Sequence, residues 1–214
     1  FRPMRQEDSH EYLRQLIDCM HEEILKAENV KLSDGLVAES TFISRLFGGQ
    51  FCSELRCGKC KYRSPTFNYF QDLSLEVSQG ISSIDGALAA FQASEKLSSG
   101  NEWRCEGCKK LVQATKKIFI YKAPNVLVLH LKRFSYGRGK INKMVSYSMK
   151  LSLRVNGLHS DMTMDANKTS PPKRDGTNSN VEYELIGMVV HHGHSSHSGH
   201  YVAFVRGPNK QWYK

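Results

Sequence analysis

Four of the six cysteines stand in two C-x-x-C pairs, Cys57-Gly58-Lys59-Cys60 and Cys105-Glu106-Gly107-Cys108, with 44 residues between them. Two residues between cysteines let a tight turn aim both thiolates at one ion, and two such turns complete a tetrahedral set with no open position. Such a centre is structural. One zinc ion shared by Cys57, Cys60, Cys105 and Cys108 is the expectation; the alternative, four reduced thiols without metal, leaves paired reactive groups on loops. Gly58 and Gly107 permit the turns. A zinc ribbon leaves function open, because ribbons of this kind also bind nucleic acid. Cys19 and Cys52 lie among apolar residues at helix and strand spacing and read as buried filler, not as nucleophiles.

The second concentration of chemistry is His191-His192-Gly193-His194-Ser195-Ser196-His197-Ser198-Gly199-His200. A second metal cluster is one reading of it. The other is a general base, which needs one imidazole held rigidly. His200 is best placed for that role, directly ahead of the strand-like run 201–205, with Gly199 allowing close approach of a substrate backbone. A histidine in front of a strand also has a purely structural reading.

The elements that must carry these groups follow from periodicity. Leu13, Leu16, Ile17, Met20 and Ile24 recur at helical spacing between residues 8 and 28, so one helix face is expected to be buried, with Glu11, Arg14, Asp18 and Glu22 opposite. Runs 51–56 and 73–77 alternate as half-buried strands do, and the first cysteine pair lies between them. Ile84, Leu88 and Phe91 suit a short helix capped by Ser82 or Ser83. Runs 118–121 and 126–131 read as two strands, and 185–190 as a strand that enters a histidine-rich loop. Residues 156 to 182, polar and containing Pro171-Pro172, read as a mobile surface insertion with its core at 158–182. No internal repeat is found. The expected fold is α+β with an antiparallel sheet.

With 214 residues, 40% hydrophobic and 24% charged, the chain can bury one sizeable core. No apolar run approaches about 18 residues, and residues 1 to 8 lack a signal-like stretch, so a soluble intracellular protein is expected, in nucleus or cytoplasm. The chain starts at Phe1 and stops at Lys214 inside a strand-like run, so a piece of a longer protein is expected. The net charge of +9 is local: residues 96 to 143 hold twelve Lys/Arg against Glu102 and Glu106, and the remainder comes to about −1. A solvated face on a β-rich subdomain accounts for this; a nucleic-acid surface is the competing reading.

In their order along the chain, the motifs resemble the ubiquitin-specific protease (ubiquitin carboxyl-terminal hydrolase) family. Gln6-Glu7-Asp8-Ser9-His10-Glu11-Tyr12-Leu13 is similar to its glutamine-box helix, and Phe70-Gln71-Asp72-Leu73-Ser74-Leu75-Glu76-Val77 to the strand after its first zinc knuckle. Residues 124 to 134 resemble its central palm strand, and Ser198-Gly199-His200-Tyr201-Val202-Ala203-Phe204-Val205-Arg206, with Trp212-Tyr213, its histidine box. The wording of residues 1–8 and 193–200 is most similar to the plant enzymes and their animal nucleolar relatives.

The resemblance implies a papain-like cysteine protease of thumb, palm and fingers architecture, with a thumb remnant over about 1–48 and fingers and palm over about 49–214. It implies that His200 draws the proton from a cysteine thiol, whose thiolate attacks the carbonyl after the Gly-Gly tail of ubiquitin. Asp8 and Glu11 would meet arginines of that tail, and Phe134, His191, Gly199 and Tyr201 would wall a channel that admits only glycines. The implied cofactor is one structural zinc. The implied partners are ubiquitin and ubiquitinated proteins, bound by a monomeric domain without membrane or nucleic acid. The family's nucleophile lies upstream of the glutamine box and its orienting Asp just past Tyr213, so the 214 residues alone are expected to be inactive. A natively truncated, non-catalytic ubiquitin-binding module is the alternative.

Overall fold

The first helix, α1 (Ser9–Ala27), starts where the sequence supplies a cap. Asp8 is extended, and its carboxylate accepts the backbone N–H groups of His10 at 2.7 Å and Glu11 at 3.2 Å. Two of the four donors that a helix start leaves without partners are thereby satisfied. The computed structural model in which this is seen describes residues 7–30, 41–77, 80–98, 100–135, 139–156, 178–195 and 198–214. Along α1, Ile17 and Leu25 are buried and Leu13 and Ile24 half-buried, but Leu16 and Met20 remain 42% and 38% exposed. The apolar stripe is thus wider than its described cover. Cys19 sits beside the uncovered residues and is exposed, which corrects its reading as buried filler; Cys52 is buried.

A short helix, α2 (Phe42–Phe47), packs on α1 and was not legible from periodicity, since six residues make under two turns. Thr41 caps it, accepting from the Ser44 backbone N–H at 3.2 Å, and the Thr41 hydroxyl also meets His21 Nδ1 at 3.0 Å. One polar residue therefore starts α2 and ties it to α1.

The largest sheet has the antiparallel order β2 (Arg63–Phe70), β1 (Gly49–Cys57), β7 (Ala114–Lys122), β4 (Glu95–Leu97). Pro65 places β2 at an edge, where a strand can spare an N–H. The β1–β7 ladder runs from Gln50 opposite Lys122 to Cys57 opposite Ala114. Its near end enters the core and its far end carries the cysteine pairs, the second of them on the ribbon β5 (Trp103–Arg104) and β6 (Leu111–Val112).

The core gathers Leu73 and Leu75 of β3 (Leu73–Glu76), Ala87 and Leu88 of α3 (Ile84–Phe91), Ile120, Phe70, and Leu153 and Val155 of β11 (Lys150–Asn156). α3 opens on Ser83, whose hydroxyl accepts from the Gly86 N–H at 3.0 Å. Antiparallel pairing dominates, but β3 runs parallel to β8 (Leu129–Lys132), as the long excursion through α3 and the cysteine ribbon between them allows. Of the expected strand 126–131, only its end joins that ladder.

β11 pairs with β12 (Asn178–Glu184), placing Val181 and Tyr183 against the core while Asn180, Glu182 and Glu184 face solvent. The insertion expected over 158–182 falls mostly outside the described residues, and its end moves back, because β12 already begins at Asn178. Strand pairing needs no apolar side chain at every position. The expected histidine loop is likewise a hairpin: β13 (Gly187–Ser195) continues through the histidines and β14 (Ser198–Arg206) returns, followed by β15 (Trp212–Tyr213). A small hairpin, β9 (Phe134–Ser135) with β10 (Gly139–Lys140), leans on β13. No helix among the described residues is long and apolar enough to cross a membrane.

Leu75 is fully buried at the centre of this core. Leu75→Ala is expected to cost about 2–5 kcal/mol, read as a lowered urea midpoint with an unchanged slope.

Candidate functional site

The two cysteine pairs converge. The four Sγ atoms lie within 4.8 Å of one another, and Cys60 Sγ stands 3.6 Å from Cys105 Sγ. A tetrahedral zinc with Zn–S near 2.3 Å has S···S edges of about 3.8 Å. The donor set therefore needs to close by no more than about 1 Å to hold such an ion. The two turns share one geometry: Cys57 N–H donates to the Tyr62 carbonyl and Cys105 N–H to the Lys110 carbonyl, each at 2.9 Å, and the residue after each second cysteine, Lys61 or Lys109, is left-handed (φ 63° and 58°). Strain thus falls on the lysines. The glycines serve a different end, since a Cβ on Gly58 would meet the Gln113 carbonyl and one on Gly107 the ring of Tyr62, which stacks on Trp103.

Lys59 and Cys60 both turn backbone N–H groups to Cys57 Sγ at 3.3 Å. Burial pushes the Cys57 thiol up, but these donors and the neighbouring thiols outweigh it and bring it down to about 6. The Tyr62 N–H favours a thiolate at Cys60, yet burial and the three neighbouring sulfurs raise that thiol to about 11. Crowded sulfurs resist sharing negative charge, and a cation among them removes that conflict.

The histidine hairpin is arranged in two faces. His191 pairs with Tyr201 and His192 with His200, and the register then shifts between His192 and Ser195. Gly193 and Gly199 face each other with φ of 157° and 156°, and a Cβ on Gly199 would overlap the His191 ring, so the imidazole occupies the space a side chain would need. The same ring meets Phe134 edge-on at 5.4 Å and Tyr201 at 4.8 Å. The Tyr201 hydroxyl hydrogen-bonds with Ser9 and Asp8 at the start of α1; burial, then the Asp8 charge, raise its pKa. Burial, then the ammonium of Lys140, lower that of His191.

Of the residues expected at a site, the fold thus gathers Phe134, His191, Gly199, Tyr201 and Asp8. Glu11 lies exposed on the first turn of α1. His200 is exposed and, because successive strand residues alternate, projects from the face opposite Tyr201.

A polar junction absent from the sequence reading lies where α1 meets β3 and β8. His10 and His130 stack at 3.7 Å and 9°. His10 Nε2 reaches Asp72 Oδ2 at 3.0 Å, and the Ser74 hydroxyl donates to the same oxygen at 3.2 Å. That hydroxyl has one proton, so His130 Nδ1, 3.0 Å away, donates to Ser74. Arg14 completes the charge pairing with Asp72 at 3.7 Å. The signal was present: Ser74 and His130 are polar residues between leucines in two strands and sit opposite each other in the ladder. A cleft lined by Arg14, Tyr69, Phe70, Gln71, Asp72 and Ser74 opens here and contains none of the channel residues.

Helix, palm-like sheets, a long ladder tipped by four cysteines and a histidine-bearing hairpin define the thumb, palm and fingers class of the papain-like α+β fold. The chain belongs to the ubiquitin carboxyl-terminal hydrolase family, whose sequence profile matches residues 1–214. Probable ubiquitin carboxyl-terminal hydrolase 16 of Schizosaccharomyces pombe is 37% identical over all of this chain and 43% of its own length; ubiquitin carboxyl-terminal hydrolase 23 of Arabidopsis thaliana is 37% identical over 100% and 23%. Among solved structures, the SAGA Ubp8/Sgf11/Sus1/Sgf73 DUB module bound to ubiquitin aldehyde gives a TM-score of 0.75 at 26% identity, covering 97% of this chain and 43% of that one. The chain therefore spans less than half the length of these relatives.

Burial holds His130 below its ordinary value of 6.5, and the His10 ring against it adds to the effect, outweighing Asp8 and Asp72. Below about pH 6.5 the unfolded chain binds a proton that folded His130 refuses. The contribution of the neutral ring is complete above that pH and is lost as pH falls through the lower folded value. The urea midpoint is expected to drop between about pH 7.5 and 5.5, and to drop less in His130→Gln.

Proposed function

We propose that this chain is the glutamine-box to histidine-box part of a deubiquitinase catalytic domain within a longer protein. The observation that carries the reading is the wall formed by His191, Phe134 and Tyr201 over Gly199, set against the start of α1, with His200 next along β14 on its opposite, exposed face. Rings packed this closely on a glycine suit a substrate without side chains, such as a Gly-Gly tail.

In this reading His200 takes the proton of a cysteine thiol supplied from outside the 214 residues. The thiolate attacks the carbonyl of the last ubiquitin glycine, the protonated imidazole returns its proton to the leaving amine, and water hydrolyses the thioester. Cys52 is buried in β1 and the four clustered cysteines are committed to one another, which leaves Cys19 on α1 as the remaining thiol. The carboxylates of Asp8 and Glu11, at the helix start next to Tyr201, favour the arginine-bearing segment of the tail. The SAGA Ubp8 structures bound to ubiquitin aldehyde and to monoubiquitin support ubiquitin as the partner.

We take zinc to be the ion of the cysteine cluster, where it staples the fingers and performs no step of the reaction. Metal analysis of protein prepared without chelator should find close to one zinc per chain. Cys57→Ser should lose most of it, together with the ordered amides of β5 and β6; a metal-free wild type would exclude the assignment.

The catalytic reading is tested in the full-length parent protein. His200→Ala should lower hydrolysis of a ubiquitin C-terminal fluorogenic amide by at least about 10²–10⁴-fold while ubiquitin affinity changes less than about twofold. Undiminished hydrolysis would remove His200 from the mechanism, and tight ubiquitin binding by a wild type that never cleaves would make the domain a binding module.

A further inference from the structure

Behind the histidine hairpin lies one side chain that the reading above does not use. Lys140, at the end of β10, extends its ammonium to three acceptors of β13: the His191 carbonyl at 2.8 Å, the Gly193 carbonyl at 2.8 Å and His191 Nδ1 at 3.0 Å. An ammonium has three protons and no lone pair, so all three are placed in one stroke. The two carbonyls belong to residues i and i+2 of a strand and so point to the same side. Both are met there by a side chain of β10, a strand that is not part of the sheet β13-β14-β15 in which β13 is the terminal strand. Edge carbonyls without a neighbouring strand otherwise depend on water.

The residue between the two held carbonyls is His192, the cross-strand partner of His200. The ladder loses register directly after it, and the two glycines that follow on either strand have the backbone conformations least able to hold a shape by themselves. The backbone behind His200 is therefore fixed from outside the sheet. The contact to Nδ1 does a second thing. Because the lysine only donates, Nδ1 must be the bare nitrogen of His191, and the neutral ring carries its proton on Nε2, the nitrogen that lies over Gly199.

We propose that Lys140 is a positioning residue that clamps the bulged segment of β13 behind His200 and sets the tautomer of the channel histidine His191. The inference rests on the deubiquitinase reading for its kinetic consequence, but the clamp itself is a statement about two side chains and three acceptors.

The test uses the full-length parent protein, with Lys140→Met to keep the stem and remove the donors, and Lys140→Arg to keep the charge and two donors. Hydrolysis of a ubiquitin-tail fluorogenic amide is measured beside the 15N resonances of the His191 ring, with zinc content and circular dichroism as checks of folding. Lys140→Met should lower kcat by about 10–100-fold with KM within about twofold, since a displacement near 1 Å at a reacting group costs that much. Its His191 spectrum should change from one tautomer with bare Nδ1 to a mixture, and Lys140→Arg should recover part of both. A folded Lys140→Met protein with unchanged kcat, or with an unchanged His191 tautomer, overturns the proposal. If the wild type does not cleave at all, the deubiquitinase reading fails by itself, and the His191 spectrum alone decides whether Lys140 clamps the hairpin.

Discussion

The carboxylate of Asp8 joins the helical and the sheet parts of this molecule. It caps α1, it meets the hydroxyl of Tyr201 on β14, and its charge is felt at His130 on β8 and at His191 on β13. α1 has few apolar anchors: Leu16 and Met20 lie open, and those described are chiefly Ile17 and Leu25. An N-cap contributes about 1 kcal/mol and a hydrogen bond to a charged group about 1.5–3 kcal/mol, which for a helix with so thin an apolar seam is a deciding share. The Asp72 junction with His10, Ser74 and Arg14 then fixes the rotation of the helix about that anchor.

The other organising constraint is distance. β1 covers eight positions from Gln50, next to the core, to Cys57 at the tip, and among the described residues the core around Leu75 and the small cluster of Cys57, Cys105 and Val112 are separate. At about 3.3 Å per residue the ladder is over 20 Å long. The tip therefore draws little on the core, and the ion proposed for the four converging sulfurs would give it a staple of its own.

Much of this could be seen in the sequence, and what could not has physical reasons. The cysteine spacing named all four ligand positions, because a knuckle is a local structure. A serine cap at 82 or 83, which the structure places at Ser83, and the core positions Leu73, Leu75 and Leu88 were legible for the same reason. The wall residues came from resemblance and were placed together by pairings distant in sequence, such as Tyr201 with Ser9. The role of Lys140 carried no signal: a lysine after a glycine in a basic segment looks like any solvated charge, and its meaning depends on three acceptors some fifty residues away. The side-chain period misjudged the histidine segment as a loop because hairpin pairing there is specified by backbone geometry and two glycines.

The cysteine knuckles also bear on the charge of the chain. With the zinc proposed above bound, four thiolates around one divalent ion would leave a centre with two net negative charges, partly desolvated at Cys57 and Cys105. Lysines follow each knuckle's second cysteine, with Lys59 and Lys110 beside them and Arg104 just ahead of the second pair. Part of the basic surplus that invites a nucleic-acid reading is then a counter-ion shell built into the covalent chain. Seen this way the fingertip would be in part an inner salt, with two of its positive charges answered from within and the rest of the surplus left to solvent.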